Sequence, residues 1–155
     1  MITIIKNYDL SDVKRSMKQF IDQGASDETV HSIALMATAG STDHIAAIYD
    51  WMKNNSEYVA DPVESELLIA PKRLAEHFYN GEKIHGDCDD LAMFATSLYK
   101  SVGLQSKVAI IDLDGKGFNH AICLVKGKSD WIPVDLASKY PLGWQTKFFD
   151  ITYVE

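Results

Sequence analysis

His85-Gly86-Asp87-Cys88-Asp89-Asp90 begins the stretch that decides the fold, and an apolar run follows it. Apolar residues recur in that run at steps of three and four: Leu91, Phe94, Ala95, Leu98 and Val102. This spacing predicts a helix with one face packed on a core, and the three aspartates suit the positive end of its dipole. Cys88 therefore lies at, or one residue from, the start of a buried helix. Because N–H groups and the dipole there favour the reactive thiolate, we interpret Cys88 as a nucleophile.

The composition is that of an acidic globular protein. Of the 155 residues, 46% are apolar and 24% are charged, and the formal net charge is −7. This length corresponds to one domain with a substantial core. The acidic balance argues against a nucleic-acid binder that relies on a basic surface. The sequence contains no run of about 18 apolar residues, so no membrane span is expected.

Two further features concern the cellular compartment. The N-terminal residues 1–6 lack the charged start, apolar stretch and cleavage site of a signal peptide. Cys88 and Cys123 are too few for a disulfide framework, although one disulfide between them stays open. Both features predict a cytoplasmic protein, or one incorporated in a particle that is assembled in the cytoplasm.

Periodicity predicts helices in the first two thirds of the chain. They cover approximately residues 11–23, 27–40, 42–54, 71–79 and 88–102. Ser11 is the expected cap of the first helix and Gly24 its stop. Residues 55–70 are less regular, and Asp61-Pro62 marks a break in any helix. We find no linker or repeat, so residues 1–155 are expected to form a single domain.

After Gly103 the apolar pattern changes from helical to extended. Four strands are predicted, at residues 106–113, 119–126, 131–136 and 148–154. The first of them is apolar on both faces, which is typical of a central strand. Short turns join the first three strands, which predicts an antiparallel meander. Helices followed by such a meander indicate the α+β fold class.

The predicted strands contain two residues that a thiol nucleophile needs. His120 begins the second strand and Asp135 lies near the end of the third. With the turn centred between Lys128 and Ser129, residue 120 would pair near residue 137, within a couple of residues of Asp135. If the cysteine helix packs across this edge, Cys88, His120 and Asp135 form a nucleophile, a base and an orienting acid.

This order resembles the transglutaminase-like superfamily of papain-like thiol enzymes. Matching pieces are Gly86-Asp87-Cys88-Asp89-Asp90, Val102-Gly103-Leu104, Asn119-His120-Ala121 and Trp131-Ile132-Pro133-Val134-Asp135. Asp61-Pro62, Glu66, Pro71 and Pro141-Leu142-Gly143-Trp144 are similar to segments of phage and prophage members. The resemblance covers roughly residues 45–145. The resemblance implies that residues 1–44 are a helical N-terminal extension packed on a papain-like core, and that the protein is of phage or prophage type.

The resemblance and the residues together imply acyl transfer from an amide through a thioester on Cys88. The backbone N–H of Cys88 is expected to help bind the oxyanion, but the sequence identifies no side-chain donor. Hydrolysis of a protein or peptide is the expected outcome, and no cofactor is implied. The alternatives are a transamidating, cross-linking enzyme or a non-catalytic structural protein of a phage particle. Neither nucleic acid nor a membrane is an expected partner, and the oligomeric state stays open.

Other histidines, cysteines and aromatic residues have competing interpretations. His85 and Cys88 are spaced like zinc ligands, as are His120 and Cys123. Residues three apart in a strand point to opposite faces, so no metal site is expected and Cys123 is predicted to lie in the core. His85, Asn119 and Trp131 are candidates for the substrate cleft. The alternatives are a solvent-facing loop for His85 and the core for Trp131.

Overall fold

The computed structural model describes residues 2–5, 9–60 and 66–155. Its helices are α1 (Leu10–Ala25), α2 (Glu28–Thr38), α3 (His44–Asn55), α4 (Pro71–Tyr79) and α5 (Cys88–Ser101). Its strands are β1 (Ile2–Ile5), β2 (Ser56–Tyr58), β3 (Glu66–Ile69), β4 (Ile84–Gly86), β5 (Ser106–Asp112), β6 (His120–Lys126), β7 (Trp131–Val134) and β8 (Asp150–Val154). The predicted break at Asp61-Pro62 lies outside the described residues.

The main sheet is antiparallel, with the strand order β7-β6-β5-β8. Strands β5, β6 and β7 form the predicted meander, and β8 returns to pair with the free side of β5. Residues along β5 and β6 are buried on both faces of the sheet. Helix α5 packs on one face, and a separate apolar cluster covers the other face with Ala109, Ile111, Ile122 and Leu124. The predicted central position of β5 and the α+β class are confirmed. That residues 1–155 form one domain stays a prediction.

Two pairings between short strands do not appear in the sequence-based prediction, which treats residues 1–8 only as a short extended lead-in. Strand β1 pairs antiparallel with β3, and β2 pairs parallel with β4. Each of these strands has only three or four residues. Such a segment is too short to show a recognisable alternation, and its partner is distant in sequence. These pairings place Tyr58 beside Gly86, next to the start of α5.

The helix boundaries differ from the prediction at α1. Its cap is Asp9, whose side chain accepts a hydrogen bond from the N–H of Asp12, and Ser11 lies inside the helix. Gly24 does not end the helix. It is buried within the last turn, and a Cβ atom there would lie 2.6 Å from the Oγ of Ser97. Gly24 therefore permits a close approach of α1 to α5.

Helix α5 lies at the centre of the buried core. One face contributes Leu91, Phe94 and Leu98 to a cluster shared with α2, α3 and α4. Another face contributes Met93 to a cluster shared with α1 and the inner residues of β5. Because α5 is held on both sides, its N-terminus has a fixed position above one end of the sheet. None of the described helices is long and apolar enough to cross a membrane.

Candidate active site

The start of α5 is fixed by two reciprocal hydrogen bonds. The Asp87 carboxylate accepts from the N–H of Asp90 at 3.2 Å, and the Asp90 carboxylate accepts from the N–H of Asp87 at 3.1 Å. This capping box satisfies backbone donors that the first turn of a helix leaves without an intrahelical acceptor. Cys88 is the first residue of the helix. The predicted position of the cysteine at the start of a buried helix is confirmed.

Asp90 also connects α5 to a strand from the first half of the chain. Its Oδ1 atom accepts a hydrogen bond from the N–H of Ile69 at 2.8 Å, and the residue is 1% exposed. A Cβ atom at Gly86 would lie 2.6 Å from the Cβ of Asp90, so this position has no room for a side chain. The sequence alone predicted for Asp90 only a favourable interaction of its carboxylate with the helix dipole. The long-range bond depends on strand β3, which sequence patterns did not indicate.

His120 and Asp135 are brought together by the β6–β7 hairpin. Cys123 pairs with Val134 and Lys126 with Trp131, which confirms the predicted register of these strands. The Nε2 atom of His120 lies 2.9 Å from Oδ2 of Asp135, and the two side chains are 13% and 7% exposed. The other carboxylate oxygen accepts from the N–H of Ala137 at 3.2 Å.

The contact with Asp135 determines which nitrogen of the His120 ring carries a proton. An ionised carboxylate only accepts hydrogen bonds, so Nε2 of His120 must be the donor in the 2.9 Å contact. In the neutral ring, Nδ1 is then the basic nitrogen. The arrangement leaves Nδ1 as the atom that can exchange a proton with a neighbouring group.

Cys88 and His120 line one cleft with a volume of about 330 Å³. Asp135 is not among the lining residues; it is buried and contacts His120, which lines the cleft. The other lining residues are Leu10, Val13, Tyr58, Asp87, Asp89, Ile110, Phe118 and Asn119. Of the three residues predicted to act together, Cys88 and His120 therefore lie at the cleft surface, and Asp135 supports His120.

The three further cleft candidates have different outcomes. Asn119 lines the cleft, and its side chain also fastens the preceding turn by accepting from the N–H of Leu113 and donating to Asp114. His85 is not among the lining residues. It is exposed on β4, and its Nε2 atom lies 3.3 Å from Oε2 of Glu57. The solvent-facing alternative for His85 agrees with this position.

The placement of Trp131 in the cleft was wrong. Trp131 pairs with Lys126, the last residue of β6, whereas His120 is the first residue of that strand. The two ends of a strand of this length are about 20 Å apart. The Nζ atom of Lys107 lies 4.5 Å from the centre of its ring, and the residue is 37% exposed rather than in the core. A residue at the start of β7 cannot reach a site at the end of that strand.

Tyr58 and Phe118 are cleft residues that the sequence did not reveal. Both are substantially exposed aromatic residues, and both line the cleft beside Cys88. Phe118 is close to His120 in sequence, which is a usable signal. Tyr58 reaches the site only because β2 pairs with β4, so no local pattern identifies it.

Cys123 occupies a different environment from Cys88. It is fully buried in the core cluster, as predicted, and burial raises the pKa of its thiol to about 12. No disulfide joins Cys88 to Cys123. No group of three His, Cys, Asp or Glu side chains in the described ranges is arranged to hold a metal ion. His120 and Cys123 lie in different surroundings, since His120 lines the cleft and Cys123 lies in the core.

Comparison with known proteins identifies the family. The model of the transglutaminase-like superfamily matches residues 27–136, which is more than half of the chain. The chain belongs to this superfamily. A search of curated proteins found no match.

Two solved structures share the fold. One is a candidate cysteine protease from Cytophaga hutchinsonii, with a TM-score of 0.55 and 14% identity over 88% of this chain and 49% of that chain. The other is a candidate protease from Parabacteroides distasonis, with a TM-score of 0.56 and 11% identity over 83% of this chain and 26% of that chain. The present chain thus spans half or less of the length of either structure. At these identities the likeness concerns the fold.

Proposed function

We propose that the protein is a cysteine-dependent enzyme that transfers the acyl group of an amide through a thioester on Cys88. The observation that carries the proposal is the buried 2.9 Å contact between His120 and Asp135, with His120 and Cys88 lining one cleft. Membership of the transglutaminase-like superfamily supports a cysteine-based enzyme in general. The triad, the thioester and the outcome of the reaction are our proposals.

In the proposed first step, the Cys88 thiolate attacks the carbonyl carbon of the amide. A C–S bond forms, and the carbonyl electrons move to oxygen to give a tetrahedral oxyanion. When this intermediate collapses, the C–N bond breaks and protonated His120 transfers its Nδ1 proton to the departing amine. Asp135 holds the ring through Nε2 and stabilises its charged form.

In the second step, water attacks the thioester while neutral His120 accepts its proton. The C–S bond breaks, the acid is released, and the Cys88 thiolate with protonated His120 is regenerated. If an amine attacks instead of water, the product is a new amide and the protein is a transamidase. We propose hydrolysis of a protein or peptide as the main outcome, and transamidation is the alternative that product analysis distinguishes.

We assign the oxyanion site to the backbone N–H of Cys88 and the hydroxyl of Tyr58. The N–H at the first position of a helix points away from the helix body, and Tyr58 lines the same cleft. Tyr58→Phe should lower kcat about 100-fold with a much smaller change in KM, because the hydroxyl acts mainly in the transition state. Tyr79→Phe is the matched control, since Tyr79 is an exposed tyrosine that does not line this cleft.

The experiment that tests the nucleophile is native labelling followed by mass spectrometry. At pH 7.5, iodoacetamide should modify Cys88 much faster than Cys123, and His120→Ala should slow the Cys88 reaction while the exposed His31→Ala should not. Incubation with a peptide library should then yield an acyl adduct on Cys88. Equal labelling rates in the parent protein and in His120→Ala would contradict the proposed Cys–His pair.

The setting of the protein is also a proposal. The resemblance to phage and prophage members favours a cytoplasmic enzyme, or one that is carried in a phage particle. A non-catalytic role in such a particle predicts no adduct on Cys88 and unchanged particle assembly in Cys88→Ala. An enzymatic role predicts an adduct, and its loss in that variant.

A further inference from the structure

The chain directly after β7 forms a loop, residues 135–144, that returns to the strand it leaves. The N–H of Gly143 donates to the carbonyl oxygen of Pro133 at 3.0 Å, which closes the loop. Within the loop, the N–H of Ala137 donates to Oδ1 of Asp135 at 3.2 Å. The other carboxylate oxygen, Oδ2, makes the contact with the base of the proposed triad. The orientation of this carboxylate therefore depends on where the loop lies.

Two side chains of α3 hold the middle of this loop. Nζ of Lys53 donates to the carbonyl oxygen of Ser138 at 2.8 Å, and the Tyr49 hydroxyl donates to that of Tyr140 at 3.1 Å. Tyr49 and Lys53 are four residues apart on the helix, so they lie on one face of it. Nζ of Lys53 lies 6.0 Å from the centre of the Tyr49 ring. One face of α3 thus binds two successive turns of backbone in the loop.

The hydroxyl of Tyr49 keeps its proton and so remains a donor. Burial, followed by the negative charges of Asp50 and Asp135, raises the pKa of this hydroxyl above its ordinary value. The contribution of Asp135 also indicates that the phenol lies within electrostatic reach of that carboxylate. A backbone carbonyl only accepts hydrogen bonds, so the contact with Tyr140 requires the protonated phenol.

Apolar contacts anchor the loop on either side of this polar segment. Leu136 is buried in the core cluster, and the partly buried Leu142 packs against it. Residues 137–140 between them are half-buried or exposed. Apolar burial is not directional, so it fixes where the loop lies but not how its N–H groups point. The hydrogen bonds from α3 are directional, and they fix the backbone one residue beyond Ala137.

We propose that Tyr49 and Lys53 are positioning residues of the proposed active site. They hold the loop in which the N–H of Ala137 orients Asp135, and this carboxylate in turn holds His120. The inference rests on the proposed function and adds two residues to it. Neither residue is among those that line the cleft, so each acts on the thiol through the loop and the His–Asp pair.

The first test measures the contact between His120 and Asp135 directly. Nuclear magnetic resonance reports how fast the Nε2 proton of His120 exchanges with water, and a proton held by the carboxylate exchanges slowly. We expect Tyr49→Phe and Lys53→Met each to raise this exchange rate about fivefold, the effect of losing one hydrogen bond that supports the contact. Lys53→Arg keeps a donor at this position and should restore slow exchange.

The second test is the rate at which iodoacetamide alkylates Cys88 at pH 7.5. We expect Tyr49→Phe to lower this rate about threefold in the parent protein. In the Asp135→Asn background the same substitution should have no further effect, because both changes act through one carboxylate. A merely structural role of Tyr49 predicts the same loss in both backgrounds.

Two exposed residues provide matched controls. Tyr79→Phe removes a hydroxyl from another tyrosine, and Lys139→Met removes an ammonium group from the same loop. Both should leave proton exchange and alkylation unchanged.

The outcomes separate this inference from the proposed function. Unchanged proton exchange in both Tyr49→Phe and Lys53→Met overturns the inference, as does an Nε2 proton that already exchanges too fast to observe in the parent protein. Equal losses of alkylation in the two backgrounds also overturn it. If exchange rises as expected but Asp135→Asn is alkylated at the parent rate, the positioning role stands and the proposed triad fails.

Discussion

The N–H of Ile69 donates a hydrogen bond to the carboxylate of Asp90 at 2.8 Å, and this bond joins a strand of the first half of the chain to the helix that carries Cys88. The same carboxylate accepts from the N–H of Asp87, directly before the cysteine. One buried side chain thus fixes both the start of α5 and its position against β3. The position of Cys88 depends on a residue that takes no part in the proposed chemistry.

Asp90→Ala should therefore be strongly destabilising. The substitution leaves the N–H groups of Ile69 and Asp87 without this acceptor, and each buried donor left unsatisfied costs about 1–3 kcal/mol. We expect the free energy of unfolding to fall by about 3 kcal/mol, measured by urea denaturation. The control is Asp130→Ala in an exposed turn, which should change it by less than about 0.5 kcal/mol. A loss below about 1 kcal/mol in Asp90→Ala would contradict this role.

Asp135→Asn should reduce the reactivity of Cys88 while the fold is kept. Asparagine has the same shape but no charge, so it cannot stabilise the charged form of His120 or enforce the Nε2–H tautomer. We expect the rate of Cys88 alkylation at pH 7 to fall at least about tenfold. Asp130→Asn should leave the rate unchanged. A normal rate in Asp135→Asn, with an unchanged melting temperature, would show that the carboxylate does not act through His120.

Gly24→Ala tests the close approach of α1 and α5. Alanine favours a helix over glycine by about 1 kcal/mol, so an unconstrained site would gain stability. At Gly24 the new Cβ would lie 2.6 Å from Ser97 Oγ and 2.8 Å from Pro71 Cβ, and overpacking of this kind costs about 1–3 kcal/mol. We expect a net loss of stability in thermal unfolding. A gain would mean that the two helices separate easily at this point.

Cys123 should make the folded protein sensitive to alkali. Burial raises the pKa of its thiol from 9.0 to about 12, so the folded state retains the proton more tightly than the unfolded state. The resulting stabilisation is complete below pH 9 and is lost as the pH rises towards 12. Burial raises the pKa of the Tyr99 hydroxyl as well, and this contribution acts in the same direction.

The measurement is the slope of the free energy of unfolding against pH between 9 and 11. One titrating group contributes up to about 1.4 kcal/mol per pH unit to this slope. Cys123→Ala should make the slope shallower, although it also lowers stability at pH 7 by removing a packed side chain. Cys88→Ala, which removes the thiol of the cleft, should leave the slope as it is. Equal slopes in all three proteins would contradict the assignment to Cys123.

Local patterns were sufficient to predict the arrangement of His120 and Asp135. Two apolar runs separated by Gly127-Lys128-Ser129-Asp130 define a hairpin, and the centre of its turn fixes which residues face each other. The helix that begins at Cys88 could be predicted equally well, because its apolar spacing and its acidic first turn both indicate a helix. In both cases the structural information lies within about 20 residues of the functional residue.

Other features of the site depend on contacts that no local pattern encodes. Tyr58 and Ile69 reach the start of α5 through short strands whose partners are distant in sequence. Their pairing is determined by how the whole chain packs around α5, and three or four residues carry too little periodicity to reveal it. The error at Trp131 has another origin. The motif contained both Trp131 and Asp135, but a strand separates its two ends in space.

The origin of the three proposed catalytic residues has a consequence for the order of folding. His120 and Asp135 belong to one hairpin and are separated by 15 residues, whereas Cys88 comes from a helix outside it. Closing a short loop costs less entropy than docking a distant helix. His120 and Asp135 can therefore come into contact before α5 docks and places Cys88 beside them. On the proposed mechanism, a chain that has formed only the hairpin carries an ordinary cysteine. On this mechanism, reactivity at Cys88 develops together with the docking of α5 on the sheet.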